Sequence, residues 1–363
     1  MSILEKIKTI EEEIAKTQKN KATEKHLGIL KAKLAKLKQS LISPKGRSGG
    51  HGFSISKSGD ATVAIIGFPS VGKSTLLNRI TNAETKTGHY AFTTLNVVPG
   101  ILKYNGANIQ ILDLPGIIEG ARSSKGRGRE IISVARNADL LLIVLEPFSP
   151  EKDYKSIMRE LTAMGIRLNT EPPNVYIEKK HTGGIDVVSS KKITKITPET
   201  IKAILNTYGI HNATVILQED VDIDRFIDAI EKNRVYMPAI VVINKIDLAP
   251  KERVKEIKEK FPDALLVSGE KNIGIEELKE AIYKKLKFIR IYTKPINGKP
   301  DFNEPLMLRE GATVREACQK IHRDLVKHFK YAKIWGKSAK FPGQRVGIDH
   351  ILKDGDIITI ISK

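Results

Sequence analysis

Two stretches far apart in the chain could hold the two ends of one nucleotide. In GFPSVGKST, residues 67–75, Gly67 and Gly72 leave room for backbone N–H groups to curl around a β-phosphate, and Phe68, Pro69, Ser70 and Val71 span the loop between them. Lys73 would reach the β and γ oxygens, and the Ser74 hydroxyl suits magnesium. Thr75 carries the pattern into a helix whose amino end adds its dipole to the anion site. In NKID, residues 244–247, Asp247 can accept two hydrogen bonds from guanine's ring N–H and exocyclic amine, a donor pair that adenine lacks. That discrimination leads us to expect a buried carboxylate. Asn244 is expected to brace the loop, the Lys245 stem to cover the base, and the Ser268 and Gly269 backbone groups of VSGEK to meet the guanine oxygen.

Between these stretches lie residues suited to sensing a terminal phosphate. Asp113, closing an apolar run, is placed to reach magnesium through water, and the Gly116 N–H to bond a γ-phosphate. YAFTTLN supplies Thr93 and Thr94, of which Thr94 is the preferred ligand for magnesium and γ-phosphate. The residues expected at the reacting phosphate are therefore Lys73, Thr94 and Gly116, and the metal set is Ser74, Thr94 and Asp113. The segment DLPGIIEGARSSKGRGRE then puts Ile117 where many nucleotide switches carry a water-orienting glutamine. An aliphatic side chain cannot orient water. Arg122, Lys125, Arg127 and Arg129 follow on a Gly-rich stretch and are read as contacts to RNA or solvent.

These residues need a sheet to bring them together. ATVAIIGF (61–68) is a β-branched run ending in the phosphate loop, and ANIQILDL (107–114), ADLLLIVLE (138–146), PAIVVINK (238–245) and DALLVSG (263–269) are further buried-strand candidates with helical stretches between. Such alternation predicts an α/β, doubly wound parallel sheet. Gly116 and Asn244 are 128 positions apart, whereas two strand-and-helix units need about 60 residues. An inserted α+β module over 166–236 fills the difference. PPNVYIEKKHTGGIDVVS reads there as a hairpin, TPETIKAILNTYGI as a helix capped by Thr197, ATVILQ as a strand and DVDIDRFIDAIEKN as a second helix. At the start, Ile3, Ile7, Ile10 and Ile14, then Leu27, Leu30, Leu34, Leu37 and Leu41, make two apolar stripes of a helical hairpin. The stretch 43–60 is a Gly/Ser-rich linker. Residues 289–363 read as short strands, one helix from Val314 to His328, and a closing pair QRVGIDHIL and DIITIIS. The expected divisions are 1–48, 49–165, 166–236, 237–288 and 289–363.

The net charge of +19 favours a polyanionic partner, with RNA the first candidate. It is concentrated at the ends: residues 1–48 hold 12 basic against 5 acidic residues and 284–363 hold 18 against 8, while 166–236 balance at 10 each. The single cysteine, Cys318, excludes an intrachain disulfide. No apolar run approaches the ~20 residues a bilayer span requires, and MSILEKIKTIEEE lacks a signal peptide's apolar centre. A cytoplasmic monomer without membrane attachment is expected.

GFPSVGKSTLLNRIT, YAFTTL, DLPGIIEGA, SKGRGRE, NRVYMPAIVVINKID and VGIDHILKDGDI together resemble the developmentally regulated GTP-binding (DRG) proteins, a branch of the Obg-related translation-factor GTPases. The resemblance covers essentially the whole chain. It implies that the tail, with RIYTKP and YAKIWGKSAKFPGQRVGIDHIL, is a TGS domain of ubiquitin-like β-grasp fold, and that the insertion is S5D2-like. It also implies slow GTP hydrolysis with magnesium, association with ribosomes or RNA, and a dedicated regulatory protein engaging the TGS region. Several relatives with an aliphatic residue at the Ile117 position use a potassium ion held partly by a phosphate-loop asparagine; this sequence has Ser70 there, which leaves a backbone-held ion or a bound partner to complete charge compensation. The alternative reading is a GTP-stabilised protein-binding scaffold with negligible turnover, while an ATP-dependent enzyme conflicts with Asp247.

Overall fold

A computed structural model describes residues 3–18, 20–42, 59–81, 98–114 and 134–362. Thr93, Thr94, Gly116, Ile117 and the four cations from Arg122 to Arg129 lie outside the described residues, as does nearly all of the 43–60 linker. The chain divides into two compact units, Met1–His51 with Arg159–Met237, and Gly52–Met158 with Pro238–Lys363.

The second unit is built on β1 (Ala61–Ile66), ATVAII, in which every residue is buried, as a strand covered on both faces requires. Numbered along the chain, its sheet partners are β2 (Val98–Tyr104), β3 (Ala107–Asp113), β4 (Leu140–Leu145), β10 (Ala239–Ile243) and β11 (Leu265–Leu266), in the order β11-β10-β4-β1-β3-β2. All neighbours run parallel except β2 against β3. Because β1 lies between β3 and β4, its carboxyl end opens at the point where the winding reverses, the usual crevice for a ligand in such sheets. The helix α3 (Lys73–Ile80) packs Leu76, Leu77 and Ile80 into this core. Strand β2 is absent from the sequence reading. Its signal was Asn105-Gly106, a two-residue turn with φ of 48° and 82° between apolar-alternating runs. The strand expected over 263–269 shrinks to two residues, because Val267 to Gly269 turn away to serve the site described below.

The same unit ends in a five-stranded sheet of order β13-β12-β16-β14-β15, formed by β12 (Phe288–Thr293), β13 (Leu306–Arg309), β14 (Phe329–Trp335), β15 (Gln344–Val346) and β16 (Ile357–Ser362). Two expectations change here. The closing runs are not a pair, since β14 lies between β15 and β16 and bonds to both. The single helix is two, Val314–Ile321 and Asp324–Lys327, because His322 is extended at φ −162°. The first of these carries the only sizeable apolar face, with Val314, Ala317 and Cys318 in the core beside Ile291, Ala332, Ile334 and Ile358. This module meets the amino-terminal edge of the larger sheet. Lys320 Nζ lies 2.6 Å from Asp60 Oδ1 and donates to the Met307 carbonyl, and Arg309 faces Asp139 at 3.7 Å.

In the first unit, β6 (Val175–Lys179), β7 (Ile185–Ser189) and β8 (Ala213–Leu217) form a sheet of order β6-β8-β7. The expected hairpin of 172–189 is therefore split. ATVIL is the most apolar of the three strands and takes the centre, antiparallel to β6 and parallel to β7. One helix, Pro198–Thr207, is capped by Thr197, whose side chain accepts from the Thr200 N–H, and Ile201, Ile204 and Leu205 are buried. The amino-terminal helices α1 (Ile3–Lys16) and α2 (Glu24–Ile42) belong to this unit. Only part of the leucine stripe is buried: Leu27 and Leu30 are, together with Gly28 and Ala32, whereas Leu34 and Leu37 are half-buried. Small residues let α2 approach the 198–207 helix so closely that a Cβ on Gly28 would stand 2.9 Å from Thr200 Cγ2. Glu24 Oε1 adds bonds from the Thr197 N–H at 2.7 Å and hydroxyl at 3.1 Å.

Candidate guanine-nucleotide site

The phosphate loop leaves β1 at Gly67 and enters α3 after Gly72. Both glycines are forced by what lies against them. A Cβ at Gly67 would stand 2.4 Å from the Val144 carbonyl oxygen, and one at Gly72, where φ is +86°, 2.4 Å from Asn244 Nδ2. Ser70 also occupies the left-handed region at φ +64°, a conformation that costs a non-glycine residue about 1 kcal/mol or more. Pro69 and Ser70 are exposed, Phe68 is half-buried and Val71 is buried. The α3 amino end has no side-chain cap, so its first-turn donors face the loop as an anion site does. Lys73 Nζ donates to the Gly67 carbonyl at 3.2 Å and the Phe68 carbonyl at 2.9 Å, which holds the ammonium across the mouth of the loop.

Ser74 and Asp113 meet although 39 positions separate them: Ser74 Oγ donates to Asp113 Oδ2 at 2.7 Å. The partner strand sets this geometry, since Asp113 ends β3 in register with Ile65 of β1. The other carboxylate oxygen, Oδ1, is buried and has no hydrogen-bond partner among the described residues. A buried oxygen left unpaired is costly, and a hydroxyl with a carboxylate is the oxygen set that a small hard cation takes. The pair fits magnesium. Among the described residues there is no cluster of three or more His, Cys, Asp or Glu that could hold a metal by itself.

The NKID stretch sits at the end of β10, across β4 from the phosphate loop. Asn244, buried, is the joint. Its amide nitrogen donates to the Val71 carbonyl at 2.9 Å, and its carbonyl accepts the Gly269 N–H at 3.0 Å. Lys245, in the left-handed region at φ +60°, places Nζ 2.5 Å from the Ser70 carbonyl and 2.6 Å from Glu146 Oε1. The loop and the base stretch are therefore tied together twice through side chains of NK. Asp247 follows on the 3-10 turn Ile246–Leu248.

Two expectations need correcting. Asp247 is exposed on the turn, not buried. Ser268 and Gly269 are buried, but their N–H groups are spent inside the protein, Ser268 on the Ile273 carbonyl at 2.9 Å and Gly269 on Asn244 Oδ1. Their contribution is to hold Asn244 and the 268–273 turn in place. The sequence reading also missed two contributors. Arg79, in the last turn of α3, donates from Nε to the Gly269 carbonyl at 2.9 Å, and Glu146, just past β4, is the counter-ion of Lys245. A lone charged residue ending the apolar run LLLIVLE was the available signal for Glu146.

Gly72→Ala is expected to be one of the more damaging small changes. It sets a Cβ in the left-handed region and displaces the Asn244 amide from two bonds, a loss of about 2–4 kcal/mol. Urea unfolding would show it as a lower midpoint with an unchanged slope.

The chain resembles known GTP-binding proteins along its length. Residues 62–180 match the family described as "50S ribosome-binding GTPase", 182–288 the "C-terminal region of MMR_HSR1 domain" and 289–362 the TGS domain. An uncharacterized GTP-binding protein of Methanocaldococcus jannaschii is 56% identical over 368 residues, covering 100% of this chain and 94% of that protein. The developmentally-regulated GTP-binding protein 2 homolog of Dictyostelium discoideum is 47% identical, and developmentally-regulated GTP-binding protein 2 of Bos taurus 48%, each over 365 residues and the whole of both chains.

Proposed function

We propose, for a chain that belongs to the developmentally regulated GTP-binding protein family, that it binds GTP with magnesium, hydrolyses it slowly to GDP and phosphate, and uses the two states as a conformational switch on ribosomes or RNA. The observation that carries this reading is the Asn244 joint, which fixes the distance between a phosphate cradle and a base-reading turn. In this reading the amino end of α3 and Lys73 hold the β and γ oxygens. Lys73 exchanges its loop carbonyls for phosphate oxygens, a swap of neutral acceptors for charged ones. Asp247 selects guanine, and Ser74 with Asp113 would hold magnesium, which when bound neutralises charge on the β and γ oxygens. Thr94 and Gly116 are assigned to the metal and the γ-phosphate.

Ile117 supplies nothing to orient water, so turnover by the isolated chain is low. Potassium or a bound regulatory protein completes the charge compensation, a kind of contribution worth about 10³- to 10⁵-fold in this chemistry. The same isoleucine supports a second reading, a scaffold stabilised by GTP with negligible turnover. Phosphate release separates the two: with potassium and ribosomes the rate should rise well above that in sodium alone. Equal, substantial rates in both cations without any partner would remove the missing-element argument, and no release over hours under any condition would favour the scaffold.

A further inference from the structure

The sheet of the C-terminal module uses its two faces differently. One is core: Ala332 and Ile334 of β14, Val346 of β15 and Ile358 of β16 pack on the Val314–Ile321 helix. Side chains alternate along a strand, so the opposite face of the same strands carries Tyr331, Lys333 and Trp335, then Arg345, then Ile357, Thr359 and Ile361. None of these is acidic. At the β12–β13 end this side is closed, because Met307 belongs to the core of the larger sheet and Phe288 packs against it. On the β14–β15 part Tyr331, Lys333 and Trp335 are half-exposed and Arg345 is exposed, while Thr359 of β16 is buried and donates to the Lys294 carbonyl at 2.8 Å.

What is placed there is chemically pointed. The Arg345 guanidinium lies over the Tyr331 ring at 4.7 Å, and Lys294 Nζ over the Trp335 ring at 4.4 Å. Gly343 backs the indole from the neighbouring turn, where a Cβ would stand 3.4 Å from Nε1. Lys333 and Arg345 are direct cross-strand partners. Like charges opposite one another destabilise a sheet, so the pair favours a partner that brings negative charge between them. In the β14–β15 turn Phe341 is 61% exposed.

We propose that this face is a platform for single-stranded RNA. The proposal rests on the RNA-directed reading above and names the surface, the strand state and the contacts. Arg345, held flat by Tyr331, presents its outer plane to a base, and Lys333 and Lys294 take the flanking phosphates. Bases stack on arginine planes and aromatic rings in this way when they are unpaired. A duplex hides its bases and would use the lysines alone. An acidic peptide would likewise engage charge and leave the flat surface unused.

Trp335 is the sole tryptophan of the chain, so its emission reports on this face. The full-length protein with GDP would be titrated with an unstructured 12-nucleotide RNA labelled for anisotropy, with a duplex of the same length, and with a polyglutamate peptide. The single strand should quench Trp335 saturably and bind more tightly than the duplex. Arg345→Ala should weaken it about tenfold, Tyr331→Ala similarly, and Arg345→Lys should fail to restore it, with GDP affinity unchanged in all three. Arg345 is exposed, so its replacement leaves the fold intact. RNA binding without quenching, wild-type affinity in Arg345→Lys, equal affinity for duplex, or quenching by polyglutamate but not RNA would each overturn the proposal. Absence of GDP binding by the wild-type protein would sink the nucleotide reading and leave this measurement standing.

Discussion

Replacing Asp247 with asparagine should lower affinity for GDP by about 10²- to 10⁴-fold, two lost charge-assisted hydrogen bonds at about 1.5–3 kcal/mol each, with little change in thermal stability. The separation of the two effects follows from position. Asp247 is exposed on a 3-10 turn, and none of the side-chain bonds that tie this stretch to the phosphate loop passes through it. An asparagine there presents one donor and one acceptor, the complement of a xanthine edge, so xanthosine diphosphate should recover much of the lost affinity. Calorimetry with both nucleotides checks this. Equal loss for both, or a large drop in melting temperature, would show that the side chain supports the turn instead of reading the base.

Asn244→Ala should do the reverse and damage fold and binding together. The amide is buried and bonds to the Val71 carbonyl and the Gly269 N–H, both in buried residues, with a third, longer contact to the Gly72 carbonyl, which keeps the Leu76 N–H. Leaving such partners unpaired costs about 1–3 kcal/mol apiece before relaxation. We expect a stability loss of about 3 kcal/mol, which is a large share of a domain's total, and at least a hundredfold weaker GDP binding. Urea titration with and without saturating GDP would measure both, since ligand adds to stability only to the extent that it still binds. A variant that kept full GDP affinity would mean the two stretches are held in register by some other contact, with Lys245 to Ser70 the first to test.

The site was legible to a large degree because its residue types have few other uses. Gly67, Gly72 and Lys73 sit directly after an all-apolar strand, and that context separates a phosphate cradle from a chance match. The pattern did not reveal how each backbone donor is spent. Ser268 and Gly269 look like free N–H groups in a string of letters; only the fold shows one paired with Ile273 and the other with Asn244. Glu146 and Arg79 escaped notice for a related reason. A single charge has no period, and its role exists only when a distant residue arrives beside it.

Among the elements, long apolar runs such as LLLIVL and ATVAII were read correctly because burial on both faces leaves no other composition. Pairing was harder. Sequence neighbours invited a hairpin between β6 and β7, yet the strand with the highest apolar content entered between them. The leucine stripe of α2 misled in another way, because the closest contact is made by Gly28 and Ala32, where absence of bulk, invisible to a hydrophobicity pattern, sets the approach.

That contact also orders events during synthesis. The first forty residues leave the ribosomal tunnel long before the helix they grip, since Glu24 and Thr197 are 173 positions apart. Closing so long a loop is slow compared with forming local helix, so nascent α2 must wait with an apolar flank uncovered while close to half of the chain is made. Deleting the leading helices would leave Ile201 and Ile204 open to solvent in the mature protein, and its first symptom should be loss of solubility, ahead of any defect in handling nucleotide.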